Sequence, residues 1–167
     1  MDASIKTLSD VEVSYGQVKD DRSLPEDFHE QGRQVVHLHQ FLKTMKTTLE
    51  EHSLAEDTIG TTMELNRDAT LLRHFFQGVA ETHAGSRSAY YHKAQGNVGH
   101  GRSVRVVLIQ VMNVACTLAE KNAIGPTIEQ DIKRLRGGID KLENADSNRS
   151  MNHFHGQGQN NLVSGGT

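Results

Sequence analysis

The chain has no tryptophan, and aromatic residues fill only 5% of its 167 positions, so its core is expected to be aliphatic. A single cysteine, Cys116, excludes an internal disulfide and points to a reducing, intracellular compartment. It lies in an apolar run, where cysteine behaves as a small hydrophobe. Charge of one sign is also missing: 18 Lys+Arg stand against 21 Asp+Glu, a net charge of −3. Without a concentrated positive field, non-specific nucleic-acid binding is not expected. No apolar run reaches the roughly 18 residues that a bilayer span needs. The longest, Val104 to Ala119, is broken by Arg105, Gln110 and Asn113. The opening MDASIKTLSDVEV lacks the basic and apolar segments of a signal peptide. These absences lead to the expectation of one soluble, cytoplasmic domain, long enough to bury a core.

What the sequence has is helical periodicity. There are only two prolines, each at a plausible helix start. In RSLPEDF, Ser23 can cap, Pro25 suits a first turn, and Glu26 and Asp27 suit the positive end of the helix dipole. Phe28, Val35, Leu38, Leu42, Met45 and Leu49 follow at helical spacing, with Gln31 interrupting the apolar series. This predicts a helix over about 25–52. After a polar break at His52-Ser53, Leu65, Ala69, Leu72, Phe76 and Val79 predict a second helix over about 55–83, closed by the glycine of HAGS. SRSAYYHKAQ reads as a short helix. Ser103 starts another, in which Val104, Val107, Leu108, Val111, Val114, Ala115 and Leu118 spread over more than one face, the mark of a central helix ending near Asn122.

Gly125 and Pro126 then punctuate the chain, and Thr127 can cap a last helix carrying Ile128, Ile132, Leu135, Ile139 and Leu142. Gly137 and Gly138 weaken it by about 1 kcal/mol each relative to alanine. At the N-terminus Ile5, Leu8, Val11, Tyr15 and Val18 fit a helix, although Val11, Val13 and Tyr15 also alternate like a strand. Helix is preferred because nothing else offers a strand partner. The expected fold is an all-α bundle of four or five helices over residues 1–145. From about 146 to 167, where Gly, Asn, Ser and Gln take over, a flexible tail or linker is expected. The expected core centres on Val35, Leu38, Leu42, Leu72, Phe76, Val107, Val111 and Leu135.

Candidate chemistry is sparse. GNVGHGRS, Gly96 to Ser103, fits the phosphate-cradling pattern G-x-x-x-x-G-K-S except that Arg102 replaces the lysine. AYYHKAQ before it is no buried strand, and arginine does not reproduce the compact ammonium. An interhelical glycine loop is the preferred reading and nucleotide binding the weaker alternative. Of the ten histidines, His37 and His39 on one helix point to different faces, and His29 and His37 share a face without a carboxylate at ligand spacing. His153 and His155 offer two ligands where zinc sites use three or four. No nucleophile elbow or paired-carboxylate signature stands out. No catalytic, cofactor-binding or metal-binding residue is therefore assigned, no cofactor is expected, and enzymatic activity is not expected.

Tyr15, Lys19, Asp20, Leu24, Pro25 and Phe28 together carry a likeness. They resemble the Tyr-x-x-x-Lys-Asp and Leu-Pro-x-x-Phe phrases of the SesA-type N-terminal domain on fungal NACHT and other P-loop NTPases of the STAND class. The glycine-rich break and the helix GRSVRVVLIQVMNVACTLA are similar to that family's loop and following helix, and GQGQNNLVSGGT to the segments after such domains. The resemblance spans about residues 5–145 plus the tail. It implies a non-enzymatic signalling or effector domain of a fungal NLR-like immune or heterokaryon-incompatibility protein. Its implied partners are a NACHT or P-loop NTPase module, in cis or in trans, and further copies of itself. A membrane-active cell-death role is the alternative, disfavoured by Lys6, Asp10, Glu12 and Lys19 in the first helix. The tail, with Leu162-Val163 as its apolar content, reads as a linker rather than an amyloid core.

Overall fold

A computed structural model describes residues 1–50 and 58–152, with side chains through Ala145. The elements are α1 (Asp2–Val18), α2 (Glu26–Glu50), α3 (Thr58–Glu81), a 3₁₀ turn (Ala84–Ser86), α4 (Arg87–Ala94), α5 (Val104–Lys121) and α6 (Glu129–Asn152). The expected all-α bundle is the fold, with five long helices and the short α4, and there is no strand among the described residues. The polar break at His52-Ser53 and the tail beyond Asn152 lie outside the described residues.

Pairs of side chains fix the topology. Lys46 reaches Asp2 at 2.8 Å and His39 reaches Glu12 at 2.6 Å, so α2 runs antiparallel to α1. Thr7 meets Asn66 and Asp10 meets Arg73, so α3 runs parallel to α1. Thr58 meets Asn122, and Arg102, just before α5, meets Asp68, so α5 returns antiparallel to α3. Arg136 pairs with Glu120 and Gly138 lies against Met112, so α6 runs antiparallel to α5. The order is up, down, up, down, up, with α1 packed between α2 and α3. α4 fills the crossing from α3 to α5.

All eight expected core residues are buried. The expectation of a purely aliphatic core is corrected at one place. Tyr15, Phe28, Phe75, Phe76 and Tyr91 form a single aromatic knot. Phe28 and Phe76 have ring centroids 5.2 Å apart, and Tyr91 stands edge-on to Phe28 at 5.8 Å. Few rings can still dominate a core when they meet, because each buries a large area and edge-to-face packing adds to it. The Leu-Pro-x-x-Phe phrase thereby acquires a structural reason. Leu24 and Phe28 are both buried, and Phe28 sits at the centre of the knot.

Helix ends differ from expectation in instructive ways. Ser23 does not cap α2: its backbone N–H and its hydroxyl donate to Asp21 Oδ1 at 3.0 and 2.7 Å, a turn that a nearby aspartate favours. The Pro25 carbonyl begins α2 by accepting from Phe28 and His29. α5 ends in a left-handed residue, Ala123 (φ 57°), whose N–H donates to the Glu120 carbonyl while that of Ile124 donates to the Ala119 carbonyl. Those two bonds define a Schellman closure, normally built on glycine. Gly125, expected to punctuate the chain, comes two residues too late for that role. α6 starts from the Ile128 carbonyl rather than from Thr127 and continues to Asn152, past the point where apolar periodicity stops. Val13, which suggested strand alternation, lies on the outer face of α1 and is 60% exposed.

Candidate functional site

The glycine-rich segment between α4 and α5 is a tight hairpin. Val98 N–H donates to the Arg102 carbonyl at 2.9 Å, and Arg102 N–H donates to the Gly99 carbonyl at 3.0 Å. His100 and Gly101, with φ of 54° and 71°, occupy the two central positions of the turn, and both are left-handed as a type I′ turn requires. Gly101 supplies that conformation freely. Gly99 has a different role, since a Cβ there would run into the Leu71 side chain.

Arg102, which stands where a phosphate-binding lysine would, is committed elsewhere. Its guanidinium grips Asp68 of α3 with two donors, at 2.9 and 2.8 Å, and also donates to Gln110 at 2.5 Å. Burial opposes ionisation of Asp68, but the Arg102 hydrogen bonds and charge, with Arg67 nearby, hold its carboxyl below the usual range. The N–H groups of Val98 and Arg102 are spent on the hairpin and that of Gly101 on Asn97, whose side chain accepts it at 3.2 Å. The segment is a latch between α3 and α5, closed by the Arg102–Asp68 pair.

Beside this latch a cleft of about 370 Å³ opens between α2, α4 and the first turn of α5. Gln31 lines it from α2, His92 and Lys93 from the end of α4, and Ser103, Val104 and Arg105 from the start of α5. Ser103 caps α5 by accepting from Val106 N–H at 3.2 Å, which fixes the direction of the first turn. Arg105 meets Asp27 at 3.4 Å and is 8% exposed, although its position in the apolar run had read only as an interruption. Gln31 is 1% exposed, and its carbonyl oxygen has no hydrogen-bond partner.

The histidines are dispersed. His39 is held by Glu12, the His29 Nε2 lies 3.2 Å from the Asp21 carbonyl, and His37 faces Gln34. Among the described residues no three His, Cys, Asp or Glu side chains converge on a metal position. Cys116 is buried, and burial pushes its thiol up, away from the reactive thiolate. No helix among the described residues is long and apolar enough to cross a membrane.

The SesA family, described as an N-terminal domain on NACHT NTPases and P-loop NTPases, matches residues 1–118. The chain belongs to the SesA family. The matched part of this SesA domain holds α1 to α4 and most of α5, and therefore the whole aromatic knot, the latch and the cleft. α6 lies beyond the match and completes the bundle against α2 and α5. Comparison with curated proteins and with solved structures gave no match.

Proposed function

We propose that this SesA domain is a non-enzymatic signalling or effector domain of a fungal STAND, NLR-like receptor, acting in the cytoplasm in immunity or heterokaryon incompatibility. It works through protein–protein assembly. The observation that carries this reading is membership in a family of N-terminal domains on NACHT and P-loop NTPases. A module attached to such a switch gains its effect when neighbouring copies are brought to high local concentration, with no chemistry of its own.

One surface feature supports the reading. Ile59 and Met63, one turn apart at the start of α3, are 72% and 70% exposed. Large apolar side chains paired on an outer face suit a partner surface better than a solvated one. The partner we assign to them is the NACHT or P-loop NTPase module.

The test is association between the purified chain and a separately expressed NACHT module from a SesA-bearing receptor, followed by light scattering. A complex is expected, and it should be lost in the Ile59→Asp, Met63→Asp double variant. That variant should unfold within about 0.5 kcal/mol of the parent, since the positions are exposed. A complex untouched by the double variant would remove this surface from the account, and no complex at all would count against the assembly reading.

A further inference from the structure

α6 meets the bundle along one stripe. Ile128, Ile132, Leu135, Ile139 and Leu142 are buried, while Gln130, Lys133, Arg134, Asp140 and Lys141 on its other side are exposed. The stripe lies in the groove between α2 and α5, where Gly138 comes against Gln34 and Met112. Lifted out, the helix would leave an apolar groove shaped for one kind of occupant, an amphipathic helix with this same stripe.

Between α5 and α6 the chain turns back at Ala123, which is held left-handed at φ 57°. That conformation is strained for a residue with a Cβ. From Ile124 onward the chain already belongs to α6, since the N–H groups of Thr127 and Ile128 both donate to the Ile124 carbonyl. The strain therefore sits at the point about which α6 would swing away. Alanine is the best helix former, so release lets α5 run on through position 123, and Pro126 stops it from fusing α5 with α6 into one helix. Short strained hinges between complete elements favour exchange of the element between copies.

We propose that α6 exchanges between two copies of this chain, each copy's α6 seated in the α2–α5 groove of the other. The contacts of α6 in the closed chain recur in the exchanged pair, so the groove needs no new complementarity. Concentration decides between the two forms. A tethered α6 faces its own groove at an effective concentration in the millimolar range. Dilute chains therefore keep α6 at home. Copies gathered on a clustered receptor reach that range, and the strain released at both hinges then favours exchange. This deepens the assembly reading and rests on it for the copies being brought together.

The exposed Arg136–Glu120 pair joins α6 to α5 and reports which copy supplies α6. Glu120→Arg and Arg136→Glu each put like charges at that contact, in the closed chain and in an exchanged homodimer alike. A mixed dimer with α6 exchanged restores opposite charges at both contacts. The two full chains are combined at about 1 mM, warmed to equilibrate and diluted into native mass spectrometry. Mixed dimers about fivefold above the statistical mixture are expected. Ala123→Gly removes the strain from the closed chain, and it should weaken dimerisation of the otherwise unaltered chain about tenfold, read by size exclusion with light scattering. Mixed dimers in statistical proportion would place the contact on another surface and overturn the proposal. Monomers alone at about 1 mM would overturn it as well. Should a charge variant fail to fold, the parent and Ala123→Gly decide, and equal dimerisation of the two overturns it. A chain that fails these tests while the NACHT module still binds removes this inference alone, and leaves the assembly reading standing.

Discussion

The ring of Tyr15 lies directly on the bare backbone of Gly32. A Cβ at position 32 would overlap the ring at Cδ2, Cε2 and Cζ. The contact brings α1 and α2 close, and the Tyr15 hydroxyl then donates to the His29 carbonyl at 3.2 Å. The same ring joins the aromatic knot through Phe28 and Phe76. Gly32→Ala is therefore expected to destabilise the fold by about 2–3 kcal/mol even though alanine is the better helix former. Chemical denaturation measures this, and Tyr15→Leu in the same chain should recover part of the loss.

The two adjacent glycines of α6 should behave in opposite ways. Gly137 faces open space, so alanine there should stabilise the helix by about 0.5–1 kcal/mol. Gly138 lies against Gln34 and the Met112 methyl, and an added Cβ would meet both. Alanine at 138 should cost about 1 kcal/mol, an amount kept small because both neighbours are flexible side-chain ends. Thermal unfolding of the two single variants separates the cases.

Ala123 invites the reverse substitution. It holds a left-handed conformation that costs a residue with a Cβ about 1 kcal/mol and glycine almost nothing. Ala123→Gly should raise the melting temperature, and a fall would show that the closure of α5 depends on the methyl group.

Asp21 sets an acid limit on stability. Hydrogen bonds from Ser23, a hydroxyl and a backbone N–H, together with Arg87 at 2.9 Å, lower its carboxyl from 3.8 to about 2. A carboxyl depressed by folding stabilises the native state fully above its unfolded value, and the contribution fades as pH falls through the folded value. The contribution of Asp21 is thus whole above about pH 4 and lost as pH falls towards 2. Melting temperatures between pH 5 and 2 should fall less steeply in Asp21→Asn than in the parent.

The bundle was legible because apolar residues recur every three or four positions, and that period places Val35, Leu72, Val107 and Leu135 inside without knowledge of partners. The close approaches were not. A glycine that weakens a helix in isolation and one that admits a neighbouring ring look identical in sequence, as Gly137 and Gly32 demonstrate. The end of α5 near Asn122 was legible, but its left-handed closure was not, since Ala123 carries no local mark of that conformation. The cleft left one trace, the interruption of the α2 stripe at Gln31. Lys93 and Arg105 stand on the consecutive helices α4 and α5, far along the chain from Gln31, and only packing brings them to it.

Assembly-driven signalling is tested most directly by clustering. The chain is expressed in a filamentous fungus fused to a ligand-inducible oligomerising scaffold, and growth arrest is measured with and without the ligand at equal protein level. Arrest only after clustering is the predicted result, with the Ile59→Asp, Met63→Asp variant silent under the same conditions. Arrest by the unclustered chain to the same extent, or none after clustering, would contradict it.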